Sequence, residues 1–301
     1  MTRRFELPTW TVVFAIYGGW IGLTLAANRL PWPLVLLLGA WLVAWQGSLQ
    51  HETIHDHPAR SRWLNALVGF WPLSLWLPYG IYRAEHLRHH DDARLTDPLE
   101  DPESYYVTAD RWRELGVARR ALLRFHQTLV GRLVIGPPLS VARLLSSEAA
   151  RLARGDRRNL RHWVLHLVGV AAVIGWLHFV CALSLGKYLL LFVYPGLSLT
   201  LLRAFVEHRP AREHAHRTAI VESGALFSLL FLNNNLHAVH HRLPAAPWYE
   251  LPGLYRAARE ALLAANEGYR FDGYGEIARR FALTPRDEPV WPLAARDEQA
   301  P

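Results

Sequence analysis

Long uncharged runs alternate with charged segments along this 301-residue chain. Residues 10–27, 31–50 and 163–186 contain no Asp, Glu, Lys or Arg. Because a helix needs roughly 20 apolar residues to cross the hydrocarbon core of a bilayer, these runs predict membrane-spanning helices. A further apolar segment follows Lys187, so we predict two helical hairpins with four spans. The spans cover residues 10–27, 32–50, 163–185 and 188–206.

Two other apolar stretches, residues 63–82 and 219–236, are interrupted by proline, glycine or polar residues. If either crossed the membrane, the histidine clusters on its two sides would lie on opposite faces. We therefore predict interfacial or re-entrant helices there, and an amphipathic helix near Leu254–Ala265. The predicted fold is a single all-α integral membrane domain over residues 1–301. Its cap consists of residues 51–162 and 207–301.

The distribution of positive charge predicts the orientation of the chain in the membrane. The two predicted outer turns contain only Arg29 and Lys187, and nearly all the other charges lie on the opposite side. By the positive-inside rule, both termini and the polar segments are cytoplasmic, and we expect the inner membrane as the location. The net charge of +7 follows from this topology, so we expect no nucleic-acid partner. The single cysteine, Cys181, excludes an intrachain disulfide and a cysteine-based metal site.

Half of the sixteen histidines form three patterned clusters, each next to an apolar segment. Spacings of three and four residues place imidazoles on one helical face, where several neutral nitrogens can converge on a metal ion. Eight imidazoles exceed the need of one ion, so we predict two. Nitrogen ligands favour iron, copper or zinc over magnesium or calcium. The predicted ligands are His51, His55, His86, His89, His90, His237, His240 and His241.

Two redox-active ions beside a membrane point to activation of oxygen against an apolar substrate. The order of one H-x-x-x-H box and two H-x-x-H-H boxes, separated by membrane hairpins, resembles the membrane fatty acid desaturase superfamily over residues 10–245. The resemblance implies a non-haem di-iron centre with O₂ as co-substrate, held by the eight box histidines. It also implies a further histidine ligand before the third box. His208 is our candidate, and His214 and His216 are the alternatives.

The resemblance implies oxidation of an unactivated C–H bond in a fatty acyl or lipid chain, with desaturation as the first expectation. Hydroxylation of a lipid or alkane, and decarboxylation of a fatty acid to a terminal alkene, use the same kind of site and remain open. No flavin- or nicotinamide-binding pattern is visible, so we expect a separate electron donor with its reductase. A ferredoxin, a rubredoxin or a cytochrome b5-like protein would serve. Residues 111–161, with twelve Arg and three acidic residues, would suit an acidic donor.

Ligand histidines usually donate their second N–H to a carboxylate, which fixes the tautomer. The acidic residues close to the boxes that we expect in this role are Glu52, Asp56, Glu85, Asp91 and Glu207. Asn233 precedes the third box by one helical turn, as does a water-bridging asparagine in some desaturases. The acidic, proline-marked stretch 90–104, which follows the second box, faintly resembles a segment of alkane hydroxylases. Its Asp-Pro pairs are also typical of turns, and we favour turns.

Two other classes of protein share parts of this pattern. His51-Glu52-x-x-His55 is also the motif of zinc metalloproteases, in which the glutamate is the general base. An intramembrane protease needs one further ligand, however, and would leave five or six of the clustered histidines without a role. A metal transporter would place its ligands near the middle of the bilayer, whereas these clusters lie at the ends of predicted spans.

Overall fold

The computed structural model describes residues 5–90 and 94–293. The fold is helical, with one pair of two-residue strands in the described part. The π-helical turns Trp176–Val180 and Leu189–Val193 extend α8 and join α9 to α10. In chain order, the helices are α1 (Leu7–Ala26), α2 (Trp32–Ile54), α3 (Arg62–Phe70), α4 (Tyr79–His89), α5 (Ala109–Glu114), α6 (Val117–His126), α7 (Leu129–Ala153), α8 (Leu160–Gly175), α9 (Leu185–Tyr188), α10 (Tyr194–Ala204), α11 (Ala225–Leu230), α12 (His237–Arg242), α13 (Leu251–Ala265) and α14 (Tyr274–Phe281).

Within the described residues, five helical segments are long and apolar enough to cross a membrane. Four of them overlap the predicted spans: α1, α2, the segment Leu160–Val180 and the segment Leu185–Ala204. The fifth is α7, which lies in the region predicted as part of the cap. Gly136, Pro137 and Pro138 lie inside this helix, although two successive prolines usually break a helix.

Neighbouring side chains explain how α7 continues through two prolines. A proline has no N–H, so the carbonyls four residues earlier, those of Leu133 and Val134, lose their helical partners. The Ser198 hydroxyl of α10 donates to the Leu133 carbonyl at 2.7 Å, and the Tyr194 hydroxyl donates to the Val134 carbonyl. These contacts satisfy the released carbonyls and attach α7 to α10.

Both ends of α7 lie on the same side of the helical hairpin formed by α8 and α10. Near its end, Glu148 accepts a hydrogen bond from the indole of Trp163 at 3.0 Å, at the start of α8. Near its start, Leu129 shares an apolar cluster with Leu202 and Phe205, at the end of α10. Because α8 and α10 run in opposite directions, these two points lie at one end of the hairpin.

The core of the helical bundle contains aromatic side chains with satisfied polar groups. The Trp20 indole of α1 donates to the Tyr188 hydroxyl at 3.0 Å, and this hydroxyl donates to the Leu73 carbonyl at 2.6 Å. Gly39 of α2 lies so close to α10 and its preceding turn that an added Cβ would be 2.8 Å from Phe192. Such close contact between helices is usual inside membranes.

The stretches predicted as interfacial helices are less regular than expected. Residues 63–82 contain α3, an irregular segment and the start of α4. In 219–236, a strand Ile220–Val221 pairs in parallel with Arg270–Phe271, α11 follows, and Leu232 and Asn233 have positive φ angles of 48° and 55°. The prediction of one helix there was wrong, because asparagine tolerates the left-handed conformation and competes for backbone hydrogen bonds. The predicted amphipathic helix is confirmed as α13.

Candidate metal centre

The ends of three helices and one loop bring the predicted ligands together. The first box lies at the end of α2, the second at the end of α4 and the third on α12, while His208 follows α10. The nine histidines form two groups, in each of which the ligand atoms lie within 4.8 Å of one another. Group one contains His51, His55, His86, His90 and His240, and group two contains His89, His208, His237 and His241.

The distances between ring nitrogens fit metal ligation. In group one, Nε2 of His86 is 3.1 Å from Nε2 of both His55 and His90. In group two, Nε2 of His208 is 2.9 Å from that of His89 and 3.0 Å from that of His237. An ion bound to two imidazoles at about 2.1 Å and at right angles separates their nitrogens by about 3.0 Å. Each group can therefore hold one ion.

Burial keeps most of these imidazoles neutral. It lowers the pKa of His208, His237 and His240 well below the ordinary value, and neighbouring histidines lower it further. Burial and the charge of His86 lower the pKa of His55 to about 2. A neutral imidazole has a free lone pair, which a metal ion requires. The buried groups are thus poised to bind ions without first losing protons.

His89 differs from its neighbours. Burial alone would lower its pKa, but the carboxylates of Glu103 and Asp101 raise it to about 9. Nδ1 of His89 donates to Asp101 at 2.9 Å, and Nε2 faces His208. The carboxylates stabilise a positive charge at this position, whether it comes from a proton or from a bound ion.

Three residues that contact ligand histidines were missed by sequence reasoning. Asp101 contacts His89, and Glu103 accepts from Nδ1 of His86 at 3.0 Å. Asn234 accepts from Nδ1 of His237 at 3.0 Å. The acidic segment after the second box was the available signal for Asp101 and Glu103, but its Asp-Pro pairs were interpreted as turns. Asn234 lies in the run of three asparagines, one position after the predicted residue.

The residues expected to support the ligands have different positions. Glu207 lies 3.5 Å from Nδ1 of His237 and pairs with Arg203 at 2.8 Å. Glu52 is buried, but its carboxylate is 3.9 Å from Nδ1 of His51 and accepts from the backbone N–H of Trp248 at 3.1 Å.

The other expected residues have different recorded contacts or lie outside the described part. Asp56 pairs with the exposed Arg62 at 3.3 Å. Glu85 lines a neighbouring cavity. Asn233 has a positive φ angle, which turns its side chain to the Trp248 carbonyl at 3.0 Å instead of towards a ligand. Asp91 lies outside the described residues.

His208 is the alternative that joins the site. His214 is exposed on a 3₁₀ turn. His216 lies 3.6 Å from the carboxylate of Glu267, and neither residue belongs to the two histidine groups.

A cavity of about 380 Å³ adjoins the two groups. Glu103 and Glu207, which approach ligand histidines, line it together with Tyr82, whose ring centre is 5.7 Å from that of His86. Val43 and Leu197 form part of its apolar wall. The cavity therefore connects an apolar space between helices with the polar surroundings of the metal groups.

Comparison with known proteins agrees with this site. Residues 27–273 match the fatty acid desaturase family, so the chain belongs to that family. With five apolar helices of spanning length, it is a membrane protein. A zeaxanthin 4-ketolase from Chlamydomonas reinhardtii is 25% identical over 284 aligned residues, covering 86% of this chain and 53% of the ketolase. The chain thus spans about half the length of this curated relative.

Proposed function

We propose that the nine histidines hold two iron ions and that the protein uses O₂ to oxidise an unactivated C–H bond in a fatty acyl or lipid-like chain. The observation that carries the proposal is the convergence of the ring nitrogens in two adjacent groups, at 2.9–3.1 Å for the closest pairs. Family membership supports iron and O₂ as the partners of these ligands. Desaturation of a fatty acyl chain is the first candidate reaction.

The bound ions would activate O₂. The residues around them would orient the histidines and position the substrate chain. Asp101 and Glu103 orient His89 and His86, one ligand from each group. The buried Arg203–Glu207 pair lines the cavity and places two opposite charges next to each other there. The apolar wall would align the substrate chain, because the position of its carbon decides which C–H bond reacts.

Hydroxylation-type oxidation is the second candidate. The relative's name assigns it formation of a ketone on zeaxanthin. Conversion of a CH₂ group to a ketone adds an oxygen atom to the product, whereas desaturation only removes two hydrogens. Decarboxylation to a terminal alkene stays open at the same site. The zinc protease is less well supported, because His51 and His55 share their group with three further histidines. The Glu52 carboxylate is already hydrogen-bonded to the Trp248 backbone.

For the topology, we infer four spans, with α7 lying against the cytoplasmic side. Its two ends contact the start of α8 and the end of α10, which lie at one end of that hairpin, so α7 does not need to cross. The positive-inside rule then places the histidine groups and both termini in the cytoplasm. We expect the inner membrane as the location.

An acidic electron donor, such as a ferredoxin or rubredoxin, would meet this cytoplasmic side. The arginines of α6 and the α7–α8 connection, including Arg119 and Arg157, are exposed there. Charge complementarity would accelerate the encounter and make it sensitive to salt.

Metal analysis of the detergent-purified protein tests the proposal. We expect about two irons and little zinc per chain. Lipid analysis of expressing cells then separates new double bonds from alcohols, ketones and terminal alkenes. One zinc and no iron after iron-replete growth would contradict the proposal and favour a peptidase.

A further inference from the structure

Arg132 of α7 is a buried cation without a carboxylate partner in the part of the chain that the structure describes. It is 1% exposed. Its Nε donates to the His126 carbonyl at 3.3 Å, its guanidinium lies 3.7 Å from the centre of the Tyr105 ring, and Nη1 has no hydrogen-bond partner among the described residues. A buried charge is costly unless an opposite charge compensates it. A bound anion close to Arg132 would therefore stabilise this buried charge.

His126 and Arg143, whose side chains can both donate hydrogen bonds to an anion, lie close to Arg132. His126 is 6% exposed, and its Nε2 has no partner within the described residues. This atom would be 3.5 Å from a Cβ added to Gly136, next to Pro137 of the cavity wall. Arg143 lines the cavity and donates to the Ser104 carbonyl. No acidic partner of Arg143 is found in the described segments.

The other charged side chains of the cavity largely compensate one another. Glu103 lies 3.8 Å from Nε2 of His89, the position where carboxylates stabilise a positive charge. Glu207 pairs with Arg203, and Arg151 pairs with Glu148 at 3.0 Å. Arg88 and Glu85 have opposite charges and both line the wall. The excess charge is positive and comes from Arg143 and from Arg132 behind Tyr105.

The remaining wall is shaped for a hydrocarbon chain. Along α2 it runs from Gln50 to Val43, which is about 10 Å at 1.5 Å per residue. On α10 it includes Leu197 and Leu201. The cavity thus combines an apolar groove with one basic region, as an amphiphilic ligand requires.

We propose that this cavity binds an aliphatic chain with an anionic head group, which Arg143 contacts directly and Arg132 stabilises from behind Tyr105. The inference rests on the proposed function and narrows its substrate class. It favours a fatty acid or an alkyl phosphate over an alkane or a neutral carotenoid.

Competition binding tests this inference. Radiolabelled dodecanoate is bound to the iron-loaded protein in a nonionic detergent, and unlabelled dodecanoate, dodecyl phosphate and methyl dodecanoate compete for it. We expect at least one of the two anions to compete at least tenfold better than the neutral ester. The anion that displaces the label at the lower concentration is the one that fits the site better.

Variants locate the head group. Arg143→Gln should weaken binding of the anions about ten- to hundredfold, the range for a lost hydrogen bond to a charged group. It should leave the ester unchanged. Arg132→Met keeps the apolar stem and should also weaken anion binding. The exposed Arg111, which pairs with Glu114, supplies the control variant Arg111→Gln, which should bind like the parent protein.

Equal competition by ester and acid, or unchanged anion binding in Arg143→Gln, would overturn the inference. Because the readout is binding, its failure is separable from failure of the proposed function. Anion binding without any oxidase activity would remove only the proposed reaction. Oxidation of neutral chains without a preference for anions would remove only the inference.

Discussion

Nδ1 of His89 donates a hydrogen bond to the carboxylate of Asp101 across 2.9 Å. The carboxylate is itself held in place, because its two oxygens accept from the backbone N–H groups of Thr96 at 2.8 Å and Glu103 at 2.9 Å. This contact selects the tautomer of His89 whose Nε2 lone pair points towards His208. Asp101 contacts His89 of group two, and Glu103, two residues later, contacts His86 of group one. One short segment thus orients histidines of both groups.

Replacing Asp101 should therefore weaken metal binding without removing a ligand. We expect Asp101→Ala to lower the iron affinity about 10- to 100-fold, as is usual when the hydrogen-bond partner of a ligand histidine is lost. Competition with an iron chelator measures this affinity. The control is Asp110→Ala, which removes an exposed carboxylate that pairs with Arg113. Equal iron retention by Asp101→Ala and the control would refute the positioning role.

His208 and His214 make a matched pair of histidines for testing the ninth ligand. His208→Ala should lose about half of the bound iron and nearly all oxidation activity, because group two keeps only three imidazoles. His214→Ala should retain both, since its side chain is exposed outside the groups. Iron per chain and product formation are measured together. Loss of iron in the His214 variant alone would reverse the assignment.

Substitution of Glu52 distinguishes the oxygenase hypothesis from the protease hypothesis. The variant Glu52→Gln keeps an oxygen that can accept from the Trp248 N–H, so we expect it to retain iron and most oxidation activity. A zinc protease would lose its general base and all hydrolytic activity. Glu52→Ala removes the acceptor as well and should destabilise the fold by about 1–3 kcal/mol, the cost of a buried unsatisfied donor. Complete loss of oxidation in Glu52→Gln, with normal iron and folding, would contradict the expectation.

Glu222 gives the cap a pH-dependent contribution to stability. Hydrogen bonds from Arg259 at 2.7 Å and Tyr255 at 2.6 Å, with Arg270 close by, lower its pKa from 4.5 to about 2. A lowered pKa stabilises the folded protein above pH 4.5, and this stabilisation is lost as the pH falls towards 2.

Glu222→Gln should therefore reduce the melting temperature at pH 7. The difference from the parent protein should shrink as the pH falls from 4.5 towards 2. Thermal unfolding in detergent at pH 7, 5 and 3 measures the effect. Glu114→Gln, in the exposed pair with Arg111, is the control and should melt like the parent at each pH. A Glu222→Gln difference that grows in acid would contradict the assignment.

The candidate ligand histidines stand out in the sequence because their spacing is a local property. Residues three and four apart share a helical face whatever the rest of the chain does, so the three boxes indicate a metal site. Their division between two groups depends on tertiary structure: His86 and His90 lie in one group and His89 in the other. Spacing along one helix does not reveal this.

The supporting residues were harder to predict, because they depend on turns. Asp101 and Glu103 reach their histidines through a segment in which Thr96 has a φ angle of 71°. The positive φ angles of Leu232 and Asn233 direct Asn234, instead of Asn233, towards His237. The continuity of α7 also depends on contacts from another helix, those of Tyr194 and Ser198. A local proline signal is therefore misleading there.

The distribution of the ligands along the chain has a consequence for biosynthesis. Both groups need the third box. Group one is complete only after synthesis of His240, and group two only after synthesis of His241. At a synthesis rate of about 5–20 residues per second, roughly 10–40 s pass between synthesis of the first box and synthesis of the third. Binding of the proposed ions would therefore follow synthesis of the third box and would link segments of the chain that are made at different times.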